Sequence, residues 1–118
     1  MTHPLAQTMP SLYGDVISTF MGVEKATDPK ATDADVVVSG VPFDLACSGR
    51  SGTRMAPNAI RQSTAHLIWE GKRWPWNFAL EERLKVCDSG NVDYAYGEPE
   101  SLIDNLENHA HRWLSAGK

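Results

Sequence analysis

The chain has few of the residues that staple, charge or anchor a protein by themselves. Cysteine occurs only twice in 118 residues, as Cys47 and Cys87, which stand far apart, so no disulfide framework is expected. Histidine occurs four times, at His3, His66, His109 and His111, too few and too scattered for an evident metal cluster. An excess of positive charge is also missing, because eleven Lys and Arg stand against fifteen Asp and Glu, giving a formal charge of −4 and a pI near 5.5. Such a balance supplies no electrostatic footprint for nucleic acid or for an anionic membrane. Apolar runs such as Val36-Val37-Val38 fall far short of the ~20 residues of a membrane span. No basic region followed by a continuous apolar stretch opens the chain, so neither nucleic acid nor membrane is expected as a partner and the cytoplasm is the expected location.

What is present is the composition of an ordinary soluble domain, with 42% hydrophobic and 22% charged residues. Residues 1–32 mix Thr, Pro, Asp, Gly and Lys and read as an irregular N-terminal arm. Within it Leu12, Val16, Phe20 and Val23 fall at near-helical spacing, which predicts one short helix packed onto the rest. The strongest strand is residues 35–41, where three consecutive valines are stiff at χ1 and suit a pleated surface. Its apolar run does not alternate, which implies burial on both faces and a parallel sheet. Pro42 cannot donate to a central ladder, so the chain leaves the sheet there.

A glycine-rich loop over residues 44–56 follows, and Pro57 opens a helix expected to reach Trp69, with Gly71 as its stop. An aromatic turn, Trp74-Pro75-Trp76-Asn77-Phe78, leads to a second strand expected over residues 84–88. Strand, loop, helix, strand is the order of a parallel crossover. Pro99 then opens an amphipathic helix with Leu102, Ile103, Leu106, Ala110, Trp113 and Leu114 at three- and four-residue spacing, closed by Gly117. Only two clear strands are visible, so an isolated chain is expected to be poorly cooperative or associated.

The loop at the carboxyl end of the first strand is the usual place for a ligand in an open α/β sheet. Asp44, Gly49, Arg50, Gly52, Arg54, Pro57 and Arg61 are the candidate substrate-loop or interface residues. Arg50 and Arg54 can fork onto a carboxylate or phosphate, or brace the loop against a neighbouring subunit. The loop matches no phosphate-binding template, which disfavours an independent anion-binding module. His109 and His111 are two residues apart on a helix and point to opposite sides, so they read as solvated surface histidines rather than metal ligands. Asp33 and Asp35 precede their strand and read as turn or capping residues. Asp88 is better placed, at a strand's carboxyl end, but a single carboxylate without a partner is not a catalytic constellation. The aromatic turn reads as core or subunit-interface packing.

Four segments taken together resemble the N-terminal region of the ureohydrolase (arginase/agmatinase) family. They are Val38-Ser39-Gly40-Val41-Pro42-Phe43-Asp44, Ser48-Gly49-Arg50-Ser51-Gly52-Thr53-Arg54, Pro57-Asn58-Ala59-Ile60-Arg61-Gln62, and Trp69-Glu70 with Trp74-Pro75-Trp76-Asn77-Phe78. The similarity continues through Val86-Cys87-Asp88-Ser89-Gly90 to Ser115-Ala116-Gly117-Lys118, so it covers most of residues 33–118. The resemblance implies an α/β class with a partial three-layer α/β/α fold of parallel strands. It also implies a binuclear manganese centre that hydrolyses a guanidino group, agmatine giving putrescine and urea, with two metals deprotonating a shared water. A homo-oligomer is expected.

The family takes its ligands from Gly-Gly-Asp-His, Asp-Ala-His-x-Asp and later Asp-x-Asp segments, none of which occurs here. The expectation is therefore a chain cut short of its metal ligands, residues 33–118 being the N-terminal portion of the domain, with no catalytic or metal-binding residue of its own and no activity alone. A non-catalytic subunit that binds a full-length ureohydrolase is the alternative. Two positions depart from the family pattern. Ala56 stands where Gly is usual, which is strained if φ is positive there, and Asn91 stands where Asp commonly follows the second strand.

Overall fold

In the computed structural model, residues 18–72 and 74–118 are described. Three parallel strands, β1 (Glu24–Lys25), β2 (Val36–Gly40) and β3 (Val86–Asn91), form one sheet in the order β1-β3-β2. Two α-helices accompany them, α1 (Ala56–Thr64) between β2 and β3, and α2 (Pro99–Ser115) after β3.

Side chains alternate across the sheet and sort the helices to its two faces. Cys87 and Ser89 of β3 face α2, meeting Trp113 and His109, while Asp88 between them faces α1 and meets Arg61. The expected layering follows from this, one helix above the sheet and one below. The core on the α2 side is Ala34, Cys87 and Trp113, with Ala26 and Val37 packed against it.

The structure adjusts several sequence expectations. The second strand runs Val86–Asn91 rather than residues 84–88, because β3 carries an extra residue opposite β2. Gly90, at φ +81, sits in that irregularity, and its N–H donates to Asp88 Oδ1 at 2.8 Å, so the pairing continues past the expected end. The helix opened at Pro57 is α-helical only to Thr64. Thr64 Oγ1 donates back to Ile60 O at 2.7 Å, and Ala65–Trp69 tightens into a 3₁₀ segment.

Two residues of the expected arm, Glu24 and Lys25, form β1 against β3. The short helix expected around Leu12 to Val23 has Leu12 and Val16 outside the described residues. Phe20 lies in a 3₁₀ turn, Phe20–Gly22, and Val23 is extended. α2 runs as expected from Pro99 and stops at Gly117, whose N–H donates to Leu114 O while that of Lys118 donates to Trp113 O. Among the described residues no helix is long and apolar enough to cross a membrane.

His109 is the clearest correction. It is half-buried between α2 and the sheet, its Nε2 2.7 Å from Ser39 Oγ and 3.3 Å from Ser89 Oγ, with the two serines 2.6 Å apart. Of these two, His111 alone is exposed as the spacing suggested, since residues two apart point to opposite sides and one of these sides faces the sheet.

Candidate functional site

The carboxyl ends of β2 and β3 are held by two clusters of charged groups. In the first, Asp88 is 1% exposed and receives four hydrogen bonds. Arg61 Nε donates to Oδ2 at 2.8 Å and Nη2 to Oδ1 at 3.1 Å, while the N–H groups of Phe20 and Gly90 donate at 2.8 Å each. Burial pushes this carboxyl up, but the Arg61 guanidinium and the two backbone donors outweigh it and hold Asp88 below its ordinary value. Arg61 has a remaining prong, Nη1, which donates to Asn91 Oδ1 at 2.5 Å and Asn58 Oδ1 at 3.2 Å. Gly40 closes the cluster, since a Cβ there would overlap Asn91 Oδ1 and lie 2.8 Å from Pro57 Cβ.

The second cluster organises the loop after β2. Asp44 Oδ2 accepts from Gly52 N at 2.8 Å, Arg54 N at 3.4 Å and Arg54 Nη1 at 2.9 Å. Desolvation raises the Asp44 carboxyl, and these donors more than offset it, leaving it below its ordinary value.

Of the seven candidate residues, the structure thus brings Asp44, Gly52 and Arg54 into one cluster and Pro57 and Arg61 into the other. Gly49 and Arg50 join neither, and both are exposed. Arg54 is engaged internally, so among the described residues Arg50 is the loop arginine without an ion pair. Asp88, read from sequence as a carboxylate without a partner, is fully partnered by Arg61, a pairing hidden by the separation of the two in the chain. Gly40 and Asn91 also belong to the cluster. Asp33 and Asp35, expected to serve a turn or cap, instead both bond the distant Lys85, Asp33 accepting from its Nζ and Asp35 from its backbone N–H. Ala56 sits at φ −62 and ψ −44, so its Cβ is unstrained. Of the two readings for the aromatic turn, core packing does not hold for Trp74, which is 94% exposed, nor for Trp76, 57% exposed and stacked on Phe78.

The residues present do not fit the two manganese ions that the resemblance implies. Among the described residues no three His, Cys, Asp or Glu are grouped to hold a metal. Near the strand ends, both oxygens of Asp88 are taken up by Arg61 and the N–H groups of Phe20 and Gly90, and Oδ2 of Asp44 by Gly52 and Arg54. The cluster positions strand ends and a loop, and no step of chemistry is assigned to it.

Comparison with known proteins decides the lineage. The arginase family matches residues 34–118. This chain belongs to the arginase family. An agmatinase of Edwardsiella ictaluri is 54% identical over 90 residues, 76% of this chain and 30% of that protein. An agmatinase of Sodalis glossinidius is 50% identical over 99 residues, 84% of this chain and 32% of that protein. The structure of a hypothetical agmatinase from Burkholderia thailandensis matches with a TM-score of 0.74 and 33% identity, over 92% of this chain and 35% of that one. The arginase-family α/β fold expected from the motifs is therefore present, and the chain spans about a third of the length of these relatives, matching their N-terminal part.

Proposed function

We propose that this arginase-family chain is the N-terminal structural portion of an agmatinase-like ureohydrolase, which in complete form hydrolyses agmatine to putrescine and urea in the cytoplasm with two manganese ions, and that these residues alone are inactive. The observation carrying this reading is the saturated Arg61–Asp88 cluster. It fixes the carboxyl ends of two parallel strands, where α/β enzymes bind ligands, and takes up both oxygens of Asp88 in structural hydrogen bonds. The similarity of the matched segment to agmatinases supports the substrate, and the absence from this sequence of the three ligand-bearing segments supports inactivity.

The test is urea release from agmatine with manganese present. The purified chain is expected to give no turnover above a protein-free control, and turnover would overturn the inactivity. A chimera in which residues 34–118 replace the matched segment of the Edwardsiella ictaluri agmatinase is expected to release urea. A folded but inactive chimera would overturn the scaffold role.

The exposed Trp74 and Trp76 favour a second reading, in which the chain is a non-catalytic subunit bound to a full-length ureohydrolase. Failure to co-purify with such a relative would remove it, and a homo-oligomer would appear instead as a concentration-dependent mass for the chain alone.

A further inference from the structure

A polar notch of about 270 Å³ lies apart from both charged clusters, walled by α2, the end of β3 and the turn just after β1. The α2 wall follows from helical spacing. Asn105, Asn108 and Arg112 are three and four residues apart, so they stand in one stripe on the helix. Asn105 Nδ2 donates to Asp93 O at 2.8 Å, which ties the chain after β3 to one end of that stripe. At the other end, Arg112 donates from Nη2 to Thr27 O at 3.4 Å. The notch is thus bordered by one charge of each sign, Asp93 held near Asn105 and Arg112 two helical turns away, roughly 10 Å along the axis. Among the described residues neither charge is in an ion pair. Asn91 also lines the notch, and because Arg61 Nη1 holds its Oδ1 at 2.5 Å, its Nδ2 group is left as a donor. The Asp that the resemblance makes usual at this position would bring a second negative charge instead.

We propose that this notch binds a small zwitterion, with the ligand's carboxylate on Arg112 and its ammonium on Asp93. A simple anion or a simple cation is the poorer occupant, because each would meet one like charge. The volume suits a molecule smaller than the ligands of ordinary pockets, which start near ~300 Å³. The spacing of the charges sets the ligand's length. Two charge-assisted hydrogen bonds of about 2.8 Å take up roughly half of the span, leaving about 4–5 Å between carboxylate and ammonium. That separation belongs to an ω-amino acid with two or three methylenes, whereas the charged groups of an α-amino acid are too close together. Asn108, one turn from Arg112, adds a neutral donor for the carboxylate. Binding here requires no catalytic centre and is independent of the ureohydrolase reading.

The test titrates the chain with glycine, β-alanine, 4-aminobutyrate and 5-aminopentanoate, and with acetate and butylamine as ligands of one charge. It reads the side-chain amide resonances of Asn105 and Asn108. The expected result is saturable shifts that are strongest for β-alanine or 4-aminobutyrate, with glycine, acetate and butylamine each weaker by about tenfold or more. Arg112→Gln and Asp93→Asn are each expected to weaken binding by about tenfold or more, and Arg112→Lys by less, since it keeps the charge. An equal response to acetate or butylamine would overturn the proposal, as would undiminished binding by both charge-removing variants. The same titration on the chimera carrying residues 34–118 covers the case in which the chain alone is poorly folded, and absence of saturable shifts from both proteins overturns the proposal. Because no turnover is read, its failure leaves the proposed function untouched.

Discussion

Arg61 and Asp88 meet as a buried two-pronged ion pair that joins α1 to β3, with the side chain of Arg61 5% exposed and that of Asp88 1% exposed. A pair this deep is not in itself a large source of stability, because desolvating both ions offsets their attraction. Its weight lies in what happens when one partner is removed. Arg61→Met strands a buried carboxylate and is expected to cost about 3–5 kcal/mol, whereas Arg61→Lys retains the charge but loses the fork and falls between. Urea denaturation followed by circular dichroism measures both, and a Met variant within about 1 kcal/mol of the parent would show the pair to be dispensable.

His109 gives the fold a pH dependence of definite sign. Burial first, and then the charge of Arg112, holds its ring below the ordinary histidine value. The folded chain therefore binds that proton less readily than the unfolded chain, so the contribution is present in full above about pH 6.5 and is lost as pH falls below it. His109→Gln, which keeps a polar group near Ser39 and Ser89 without titrating, is expected to flatten the change in denaturation midpoint between about pH 7.5 and 5. An unchanged slope in the variant would assign the dependence elsewhere.

Gly40 and Gly49 should respond oppositely to the same substitution. A Cβ at Gly40 would collide with Asn91 Oδ1 and Pro57 Cβ, while one at Gly49 meets nothing within 4 Å. Gly40→Ala is expected to destabilise by about 1–3 kcal/mol, the usual cost of overpacking, and Gly49→Ala to stay within about 0.5 kcal/mol of the parent. Equal midpoints for the two would mean that the close approach at Gly40 is not maintained in solution.

Asp44 acts on the loop rather than on the global fold. Asp44→Ala removes the acceptor shared by Gly52 N, Arg54 N and the Arg54 guanidinium. Faster tryptic cleavage after Arg50 and Arg54 is expected, with an unchanged far-ultraviolet spectrum. Cleavage at the parental rate would show that the loop is ordered by other contacts.

How much of this was legible in the sequence depended on how local each signal was. The valine run of β2 and the apolar repeat of α2 carry their own period, and both elements lie where that period places them. β1 is two charged residues without any pattern, and only its pairing with β3 makes it a strand. The loop cluster was partly legible, since Asp44, Gly52 and Arg54 are close in the chain. Arg61 with Asp88, and Ser39 with His109, are long-range encounters that no local periodicity encodes. His109 was misplaced because its spacing from His111 settles which sides the two occupy relative to each other, not which side the sheet covers.

The most direct test of the scaffold role is urea release from agmatine, measured side by side for the chain alone, for the chimera carrying residues 34–118 and for the unmodified Edwardsiella ictaluri agmatinase. The expected result is no turnover by the chain and turnover by the chimera within about tenfold of the unmodified enzyme. Turnover by the chain alone, or none by a folded chimera, would contradict it.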